Sequence, residues 1–552
     1  MTGDFARERE EEAFSPPGEG NLLLPEHRHP PERPRVLPFG EAAVLAEVDS
    51  LADALALHAR LAASLPPGLL ELVPAARTVL VRFDRRVLSP SAVRAWIEAD
   101  RESMARAPVA APSIELPIVY DGEDLPAVAR AVGLTVDEVA SRHAACTWTV
   151  AFTGFAPGFG YLVSNDWPYD VARRATPRTR VPAGAVGLAG EFAGAYPRAT
   201  PGGWQLIGTT SATLFDPDAA HPALLVPGTR VRFTPASRMS AASSASRTSA
   251  GDPPPEHAAP PPQPARPAMR VEAAGLLATV QDHGRAGHLA EGISLSGAAD
   301  RGALRTANRL VGNDETAAGI EVTMGGLRLR ARRDLWVAVT GAWGPIRIAG
   351  REVGPYDAQP WPAGTELEID WFTHGARGYL AIRGGLGGPL VAGSRATDLL
   401  AGLGSAPLAE GDELTLADAG SAGIPPLPVH PWGPPDDTLV AVDLAPGPRA
   451  DWFTPAAHAA LFDATWTVSH AADRIGIRLD GPVLDRIRTG ELPSEGMLPG
   501  AVQVPPDGRP VILGPDAPVT GGYPVIAVVT DRTRDLLAQA RPGSRILFRH
   551  AR

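Results

Sequence analysis

The stretch that decides the fold opens with FTGFAPGFGYL (152–162). It continues with PRTRVPAGAVGLAGEFAGAYPRATPGGWQLIGTT (177–210), so glycine and proline alternate with aromatic residues. A flexible linker would be rich in glycine without the aromatics, and a core strand would not tolerate so much glycine and proline. The pattern predicts either tight turns that hold aromatic side chains around a pocket, or only the corners of a compact β-barrel.

The residues around this stretch divide the first half of the chain into two predicted units. Residues 36–110 carry both strand-like and helix-like patterns, which predicts a small α+β domain. One helix is expected over 49–64, and another begins at Ser89-Pro90, because proline is favoured in the first turn. Residues 111–235 contain short apolar runs between Gly/Pro turns, which predicts a β-barrel or sandwich.

Two stretches of low hydrophobicity lie outside the predicted domains, one at the start of the chain and one near its middle. Residues 1–35 are acidic and proline-rich without the pattern of a signal peptide, so they predict a disordered tail. Residues 236–268 contain mainly Ser, Ala and Pro and predict an extended linker. After the linker we expect two further β-rich units, over 269–432 and 433–552, with a Pro-rich boundary at 425–437.

Two helices are expected in the second half. The first covers about 299–311 and ends at Gly312, because glycine readily adopts the conformation that follows a helix. Asp300 is interpreted as its cap rather than as a catalytic residue. The second helix covers about 531–540, with Asp531 as its cap.

The composition excludes several classes of function. The formal net charge of −11 argues against nucleic-acid or anionic-membrane binding. All 51 basic residues are arginine, so this chain has no Walker A lysine, no lysine Schiff base and no biotinylated lysine. The single Cys146 excludes an internal disulfide, and no apolar run is long enough to span a bilayer. We therefore expect a cytoplasmic protein without a membrane or nucleic-acid partner.

Three polar clusters carry residues that could do chemistry. In the first, Asp282 and Arg285 could pair, or the arginine could bind a carboxylate through two N–H donors. In the second, Arg395 either faces a ligand or belongs to a polar turn. The third contains Asp473, Arg474, Glu495, Gln503 and Tyr523. Glu495 could act as a base, and structural turns are the alternative reading of all three clusters.

Common catalytic motifs are absent from the sequence. It has no G-x-S-x-G elbow, no H-E-x-x-H, no C-x-x-C and no G-x-G-x-x-G between a strand and a helix. No metal-ligand set is predicted. His283 and His288 are spaced only loosely for a metal and are better explained as surface or pocket histidines.

The first half resembles the family of allophanate hydrolase subunit 1, also called KipI-like or the B subunit of 5-oxoprolinase. The resemblance covers about 36–235, and its most specific text is GFAPGFGYL (154–162), PRTRVPAGAVGLAGEFAGAYP (177–197) and TPGGWQLIGTT (200–210). It extends back through LTVDEVASRHAA (134–145) and VPAARTVLVRFD (73–84).

The second half, about 269–550, resembles the partner family: allophanate hydrolase subunit 2, KipA-like or the C subunit of 5-oxoprolinase. The matching text is GLLATVQDHGRAGHLAEGISLSGAADRGALRTANRLVGN (275–313), GSRATDLLAGLG (393–404), DRIGIRLDGP (473–482), SEGMLPGAVQVPPDG (494–508) and TGGYP (520–524). The last run departs from the family's TTGGYPK, because Val519 and Val525 flank it here.

The resemblance implies a mainly β protein with α+β character. The first half would be a small α+β domain followed by one cyclophilin-like β-barrel. The second half would be two linked cyclophilin-like barrels. In this chain the linker would join two normally separate proteins, which fixes a 1:1 ratio and raises their effective concentration.

The resemblance also implies an activity. The bacterial B/C pair works with a third protein, the lactam-utilisation type A subunit of 5-oxoprolinase, and it hydrolyses 5-oxoproline to glutamate with ATP and Mg²⁺. Related modules form the carboxyltransferase part of urea carboxylase, and KipI/KipA-like proteins regulate a histidine kinase; both are alternatives. Biotin would not be attached to this chain, and a homo-oligomer is left open.

We expect the site at the interface between the two halves, since clefts between domains are preferred locations for pockets. The expected aromatic and glycine walls are Phe155, Pro157, Gly158, Phe159, Tyr161, Gly202, Gly203 and Trp204, with Arg395 and Tyr523 as further substrate contacts. The expected catalytic set is Asp282, Arg285, Asp473, Arg474, Glu495 and Gln503. An arginine suits a carboxylate or phosphate, and a carboxylate could activate water or hold Mg²⁺.

Overall fold

The computed structural model describes residues 33–99, 112–219, 221–237, 266–417, 422–425, 433–436, 438–490 and 492–551. Most of the predicted tail (1–35), linker (236–268) and boundary segment (425–437) lies outside the described residues. Arg35 already belongs to the first strand, and Ala268 is buried next to the first strand of the second half. Pro34–Arg552 form one compact unit.

The chain begins with a small sheet covered by two helices. Four antiparallel strands follow the order β1-β2-β4-β3, from β1 Arg35–Pro38, β2 Ala43–Glu47, β3 Leu69–Pro74 and β4 Thr78–Phe83. Helices α1 (Leu51–Ala62) and α2 (Pro90–Glu98) bury apolar faces against it. Ser89 caps α2 and Pro90 is its first residue, which confirms the predicted helix start.

A seven-stranded sheet with antiparallel and parallel pairs forms the second unit. Its elements are β5 Ser113–Ile118, α3 Leu125–Ala131, α4 Val136–Ala145, β6 Trp148–Gly154, β7 Ala156–Val163, β8 Arg178–Val181, β9 Ala185–Ala189, β10 Phe192–Ala195, β11 Thr200–Gly202, β12 Gln205–Thr209 and β13 Arg230–Pro235. The order is β12-β9-β10-β7-β6-β13-β5, with β8 and β11 as a separate pair. Val119 and Thr209 exchange two backbone hydrogen bonds of 2.8 Å, so β12 meets the chain after β5 and the sheet comes close to closing.

Two facing sheets form the third unit. Its elements are β14 Met269–Ala274, β15 Leu277–Gln281, a 3₁₀ helix Leu289–Glu291, α5 Arg301–Leu310, β16 Gly319–Thr323, β17 Leu327–Ala331, β18 Leu335–Trp343, β19 Ile346–Ile348, β20 Arg351–Val353, β21 Gln359–Trp361, β22 Glu366–Ile369, β23 His374–Ile382 and β24 Glu413–Leu414. The strand orders are β20-β19-β22-β17-β14-β24 and β15-β16-β23-β18-β21. One apolar core fills the space between them.

A closed barrel forms the fourth unit. Its elements are β25 Leu439–Pro446, a 3₁₀ helix Ala450–Trp452, α6 Pro455–Asp463, β26 Thr465–Val468, β27 Gly476–Asp480, β28 Glu495–Gly496, β29 Ala501–Gln503, β30 Val511–Leu513, β31 Thr520–Gly521, β32 Val525–Val529, α7 Asp531–Leu537 and β33 Arg545–His550. Strands close in the order β25-β32-β29-β30-β27-β26-β33, and β28 pairs with β31 outside the barrel.

The mainly β class with a small α+β part is confirmed, although strand closure differs between the units. The fourth unit closes completely by strand pairing, the second closes through a single bridge, and the third consists of two sheets. The cap of α5 is confirmed, because Asp300 Oδ1 accepts a 2.8 Å hydrogen bond from the Ala303 N–H. The cap predicted at Asp531 is wrong by one residue: Thr530 precedes α7, and Asp531 pairs with Arg534 inside the first turn.

The small N-terminal sheet and the last barrel share one apolar core. Leu37, Phe39 and Leu80 of the sheet pack in the same buried cluster as Val519 and Val525 of the barrel. Those two valines are the positions where the chain departs from the family's polar and basic residues, and an apolar side chain suits their burial. The two halves of the chain therefore fold as one body rather than as two tethered proteins.

Candidate functional site

Seven of the sixteen predicted site residues lie along one seam between the two halves: Phe155, Pro157, Gly158, Arg395, Glu495, Gln503 and Tyr523. We define the seam by the turn 153–158 of the first half and by the segments 287–294, 391–404 and 494–523 of the second. Hydrogen bonds cross it, from Thr153 Oγ1 to the Ala290 carbonyl at 2.6 Å and from Arg198 Nη1 to the Ala401 carbonyl at 2.6 Å. The residues do not form one continuous pocket along this seam.

The predicted aromatic wall is mainly a packed core. Phe159 lies at its centre, with ring centroids 5.1 Å from Tyr196, 5.2 Å from Tyr161 and 5.3 Å from Trp204. All four rings are buried, and edge-to-face contacts of this kind stabilise a core. Only Phe155 is open to solvent, with 41% of its surface exposed. The rings of Phe159, Tyr161 and Trp204 therefore belong to a packed core, against which Leu51 and Leu55 of the first unit also lie.

Phe155 stands in a strained turn that touches the second half. Its φ is 66°, in the left-handed region that non-glycine residues seldom adopt. A Cβ at Gly154 would overlap Thr520 Oγ1, so the turn approaches β31 as closely as glycine permits. Pro157 is buried behind the turn, and a Cβ at Gly158 would lie 2.9 Å from Phe215 Cβ.

The Pro201-Gly-Gly-Trp204 turn supports the aromatic core from outside. A Cβ at Gly202 would lie 2.5 Å from the Tyr196 hydroxyl, which is too close for any side chain but hydrogen. The Gly203 carbonyl accepts a hydrogen bond of 2.9 Å from the Arg174 backbone N–H. These glycines serve packing and turn geometry.

The first and second polar clusters meet at loop 391–404. Asp282 Oδ1 accepts from the Ser394 hydroxyl at 2.6 Å, and its Oδ2 accepts from the Arg395 N–H at 2.7 Å. Arg285 is fully buried and donates to the Val391 carbonyl at 3.1 Å and to the Ala396 carbonyl. Asp282 and Arg285 thus hold the loop, and Arg395 is attached through its backbone.

Arg474 lies at the centre of a buried charge network between the third and fourth units. Its guanidinium donates twice to Asp516 at 2.9 Å, to Glu321 at 2.6 Å and to the Gly297 carbonyl at 2.7 Å. Burial would raise the pKa of Glu321, but the charges of Arg474 and Arg377 outweigh it and leave that pKa below its ordinary value. The network fixes the two units against each other.

Glu495 is the buried carboxylate of the seam. Its Oε1 accepts two hydrogen bonds from Arg449, one from Nε at 2.9 Å and one from Nη2. The Nη1 of Arg449 lies 2.7 Å from Glu47 of the first half. Among the described residues, Glu495 Oε2 is buried without a hydrogen-bond partner. Burial, only partly offset by Arg449, raises the pKa of Glu495. This residue has the perturbed pKa and the free acceptor that a functional carboxylate needs.

The other members of the third cluster are less enclosed. Asp473 is exposed, and its carboxylate accepts from the Ile475 and Gly476 N–H groups at 2.8 and 2.9 Å, as in a local Asx turn. Gln503 is half-buried on β29, and Tyr523 follows β31 with its ring partly exposed. Since β28 pairs with β31, Glu495 and Tyr523 belong to the same corner of the barrel.

Sequence reasoning missed a cavity of about 110 Å³ where three units meet. Its wall contains four arginines from separate parts of the chain, together with His283, Asp473 and apolar side chains; the arginines are Arg82, Arg301, Arg377 and Arg534. No spacing connects residues so far apart, so no signal in the sequence could have identified this set.

The described residues offer no ready-made metal centre. Within the described ranges, no group of three His, Cys, Asp or Glu side chains is placed to hold a metal ion. No helix in the part of the chain that the structure describes is long and apolar enough to cross a membrane.

Comparison with known proteins places this geometry in a family. The carboxyltransferase domain profile matches both halves, as subdomains C and D over residues 34–225 and as subdomains A and B over 291–550. The chain is 39% identical over 285 residues to the C subunit of 5-oxoprolinase from Escherichia coli K12, covering 51% of this chain and 90% of that protein. It belongs to the carboxyltransferase domain family.

Both halves have relatives that cover most of the corresponding protein. The B subunit of 5-oxoprolinase from E. coli O157:H7 is 42% identical over 216 residues, covering 37% of this chain and 97% of that protein. The crystal structure of TTHA0988 matches with a TM-score of 0.77 at 37% identity, over 92% of this chain and 99% of the other. The chain is thus a carboxyltransferase-family protein whose first half is similar to the 5-oxoprolinase B protein and whose second half is similar to the C protein.

Proposed function

We propose that this chain is the fused B/C component of an ATP-dependent 5-oxoprolinase. With a separate A component of the lactam-utilisation type, here called the lactam-utilisation protein, it would hydrolyse 5-oxo-L-proline to L-glutamate in the cytoplasm. The observation that carries the proposal is that relatives named as the B and C subunits of 5-oxoprolinase match the two halves of a single folded body. Their names imply a complex with further components.

The shared core supports a component that works as one preassembled unit. Side chains of both halves bury each other in the cluster around Leu37, Phe39, Val519 and Val525. The Arg449 ion pairs with Glu47 and Glu495 add a charged contact across the same interface. Fusion of two such partners raises their effective concentration without any new contact.

The reaction requires an activated amide and a base. A lactam amide is stabilised by resonance, so transfer of a phosphoryl group to its oxygen would create a leaving group and an electrophilic carbon. Without lysine, this chain would neutralise phosphate or carboxylate oxygens mainly with arginine, which binds them through two parallel N–H donors. Glu495 is the carboxylate we propose as base, because it is buried with a raised pKa and an acceptor oxygen free within the described residues.

The described residues do not supply a cluster for Mg²⁺, so no step is assigned to a metal on this chain. We propose that ATP binds at the contact of this chain with the lactam-utilisation protein and not in the cavity of about 110 Å³, which is well below the roughly 300–1,000 Å³ typical of pockets for whole small-molecule ligands.

Reconstitution tests the proposed function. The purified chain is mixed with the lactam-utilisation protein, ATP, Mg²⁺ and 5-oxoproline, and ADP and glutamate are measured. Each protein alone is the control. We expect glutamate in step with ADP only in the mixture, and no glutamate under any ratio of the two proteins would refute the proposal.

A biotin-dependent carboxyltransferase is the second candidate, because the matching family profile is that of a carboxyltransferase domain. Carrier and carboxylase would have to be separate chains, since this chain has no lysine to carry biotin. Transfer of a carboxyl group from free carboxybiotin to urea, without turnover of 5-oxoproline, would favour this candidate.

A further inference from the structure

The cavity between the three units has a lining suited to anions. It is bounded by the end of β4, the start of α5, strand β30 and helix α7, so both halves of the chain build it. Four arginines line it against one acidic residue, Asp473. Apolar side chains, among them Leu295 and Leu513, complete the surface.

Asp531 and Asp535, the carboxylates nearest to Arg301 and Arg534, do not pair with all the N–H donors of these two arginines. Arg301 pairs with Asp535 at 3.1 Å and with Asp531 at 3.4 Å, but Asp531 is shared with Arg534 at 3.1 Å. The Arg534 Nη1 donates to the Pro499 carbonyl at 3.3 Å. Two carboxylates therefore serve two arginines that carry up to about ten N–H donors.

Within the described part of the chain, Arg82 and Arg377 each keep an unpaired donor, although Arg377 Nη1 donates to the Ala538 carbonyl at 2.7 Å. Arg82 Nη1 lies 3.8 Å from Glu71, whose oxygens already accept from the Gly287 and Leu289 N–H groups. Arg377 Nε lies 3.5 Å from Glu321, which Arg474 already holds. Among the described residues, Arg82 Nη1 and Arg377 Nε are buried without a hydrogen-bond partner. Buried donors in that state destabilise a fold.

The positive charges also act on one another. Burial, with the neighbouring Arg301 and Arg82, lowers the pKa of Arg534 to about 10. Burial likewise lowers the pKa of Arg82. An anion between these groups would relieve both effects, because it supplies opposite charge at short range in a partly desolvated space.

We propose that this cavity is a binding site for a small oxyanion, a carboxylate or phosphate group held by Arg82 of the first half and Arg534 of the second. The flat guanidinium fork matches such oxygens with two parallel N–H bonds. The cavity volume admits a group of this size and not a whole nucleotide. The inference goes beyond the proposed function, because it requires binding and not turnover.

The position of the site gives the anion a second effect. Arg82 belongs to the first half of the chain, while Arg301, Arg377 and Arg534 belong to the second. An anion in the cavity therefore bridges the halves and stabilises their docking, since it binds the assembled form only.

Calorimetric titration of the full chain tests the site. Sodium phosphate and sodium acetate are titrated separately into wild type, Arg82→Gln and Arg534→Gln. Arg532→Gln is the matched control, because Arg532 is exposed on the same helix and does not line the cavity. We expect binding to weaken at least about tenfold in both cavity variants and to stay within about twofold in the control.

The two titrants distinguish the source of the oxyanion, and binding of either with this pattern supports the site. Absence of binding by wild type, or equal affinity in all four proteins, overturns it. A wild-type crystal soaked in sodium selenate gives a readout that needs no variant. An anomalous peak beside the Arg82 and Arg534 guanidinium groups supports the proposal, and a cavity without one contradicts it.

Discussion

At the scale of single residues, Arg474 shows how buried charge holds this molecule together. Removal of its guanidinium would leave Glu321 and Asp516 buried without their shared partner. We expect Arg474→Met to lower the free energy of unfolding by about 3–5 kcal/mol, the usual loss when one member of a buried ion pair is removed. Thermal unfolding measures the effect, with the exposed Arg478→Met on β27 as the control. Equal Tm values for Arg474→Met and Arg478→Met would show that the buried charge network does not contribute to stability.

The difference in Tm between wild type and Arg474→Met should depend on pH, because Glu321 titrates. Its folded-state pKa is lowered, since Arg474 and Arg377 outweigh the effect of burial. A carboxyl group of this kind stabilises the fold near neutral pH and loses that contribution as the pH falls through its folded-state pKa. The gap in Tm between wild type and Arg474→Met should therefore narrow in acid. A gap that widens as the pH falls contradicts the assignment.

Glu495→Gln tests whether Glu495 acts as the base or only pairs with Arg449. Glu495→Gln keeps an oxygen for Arg449 and removes only the ionisable group. If this carboxylate is the base, turnover with the lactam-utilisation protein should fall by about 10²–10⁴-fold at temperatures where the variant is still folded, although loss of the buried charge pair with Arg449 also lowers Tm. Asp473→Asn, in an exposed turn, is the control and should retain activity. Full activity of Glu495→Gln would leave Glu495 a structural partner of Arg449.

Residue roles were predictable where the partner is close in sequence. Asp300 was identified as a cap because its acceptor bond reaches Ala303, three positions away. The Arg474 contacts to Asp516 and Glu321 span 42 and 153 positions, so no local pattern contains them. The four arginines of the cavity are separated in the same way. Their convergence follows from the docking of three units, which the sequence alone does not specify.

At the scale of elements, the turn between β6 and β7 joins the halves. Gly154 is the point of closest approach to Thr520 of β31, and a Cβ there would overlap Oγ1. We expect Gly154→Ala to push the turn away from the second half and to lower Tm. Gly228→Ala is the matched control, because Gly228 also has positive φ (89°) but no atom within 4 Å of an added Cβ. A smaller drop in Tm for Gly154→Ala than for Gly228→Ala would contradict a close contact between the turn and Thr520.

Element starts were predicted better than element partners. The start predicted at Ser89-Pro90 forms at α2, because the hydrogen bond from the Ala92 N–H to the Ser89 hydroxyl is local. The strand-like pattern within 36–110 does not show that the chain turns back between β1 and β2, which pair as a hairpin. The aromatic stretch predicted either a pocket or barrel corners, and most of its rings pack as a core. Burial depends on neighbours from other elements, which periodicity does not reveal.

At the scale of the whole molecule, the two halves should remain together after the chain between them is cut. A protease site introduced within 240–262 allows cleavage of the purified protein. We expect the fragments to elute as one species, because the core around Phe39 and Val525 and the Arg449 ion pairs cross the interface. Elution of two separate fragments at micromolar concentration would show that the fusion alone holds the halves together.

The measurement that tests the central claim most directly is turnover of this cleaved protein. Intact and cleaved chains are each combined with the lactam-utilisation protein, ATP and 5-oxoproline, and glutamate and ADP are followed over time. If the halves form one preassembled B/C component, both preparations should produce glutamate at the same rate, and neither half purified alone should replace them. Absence of glutamate from the intact chain, or full activity of a single half, would contradict the account.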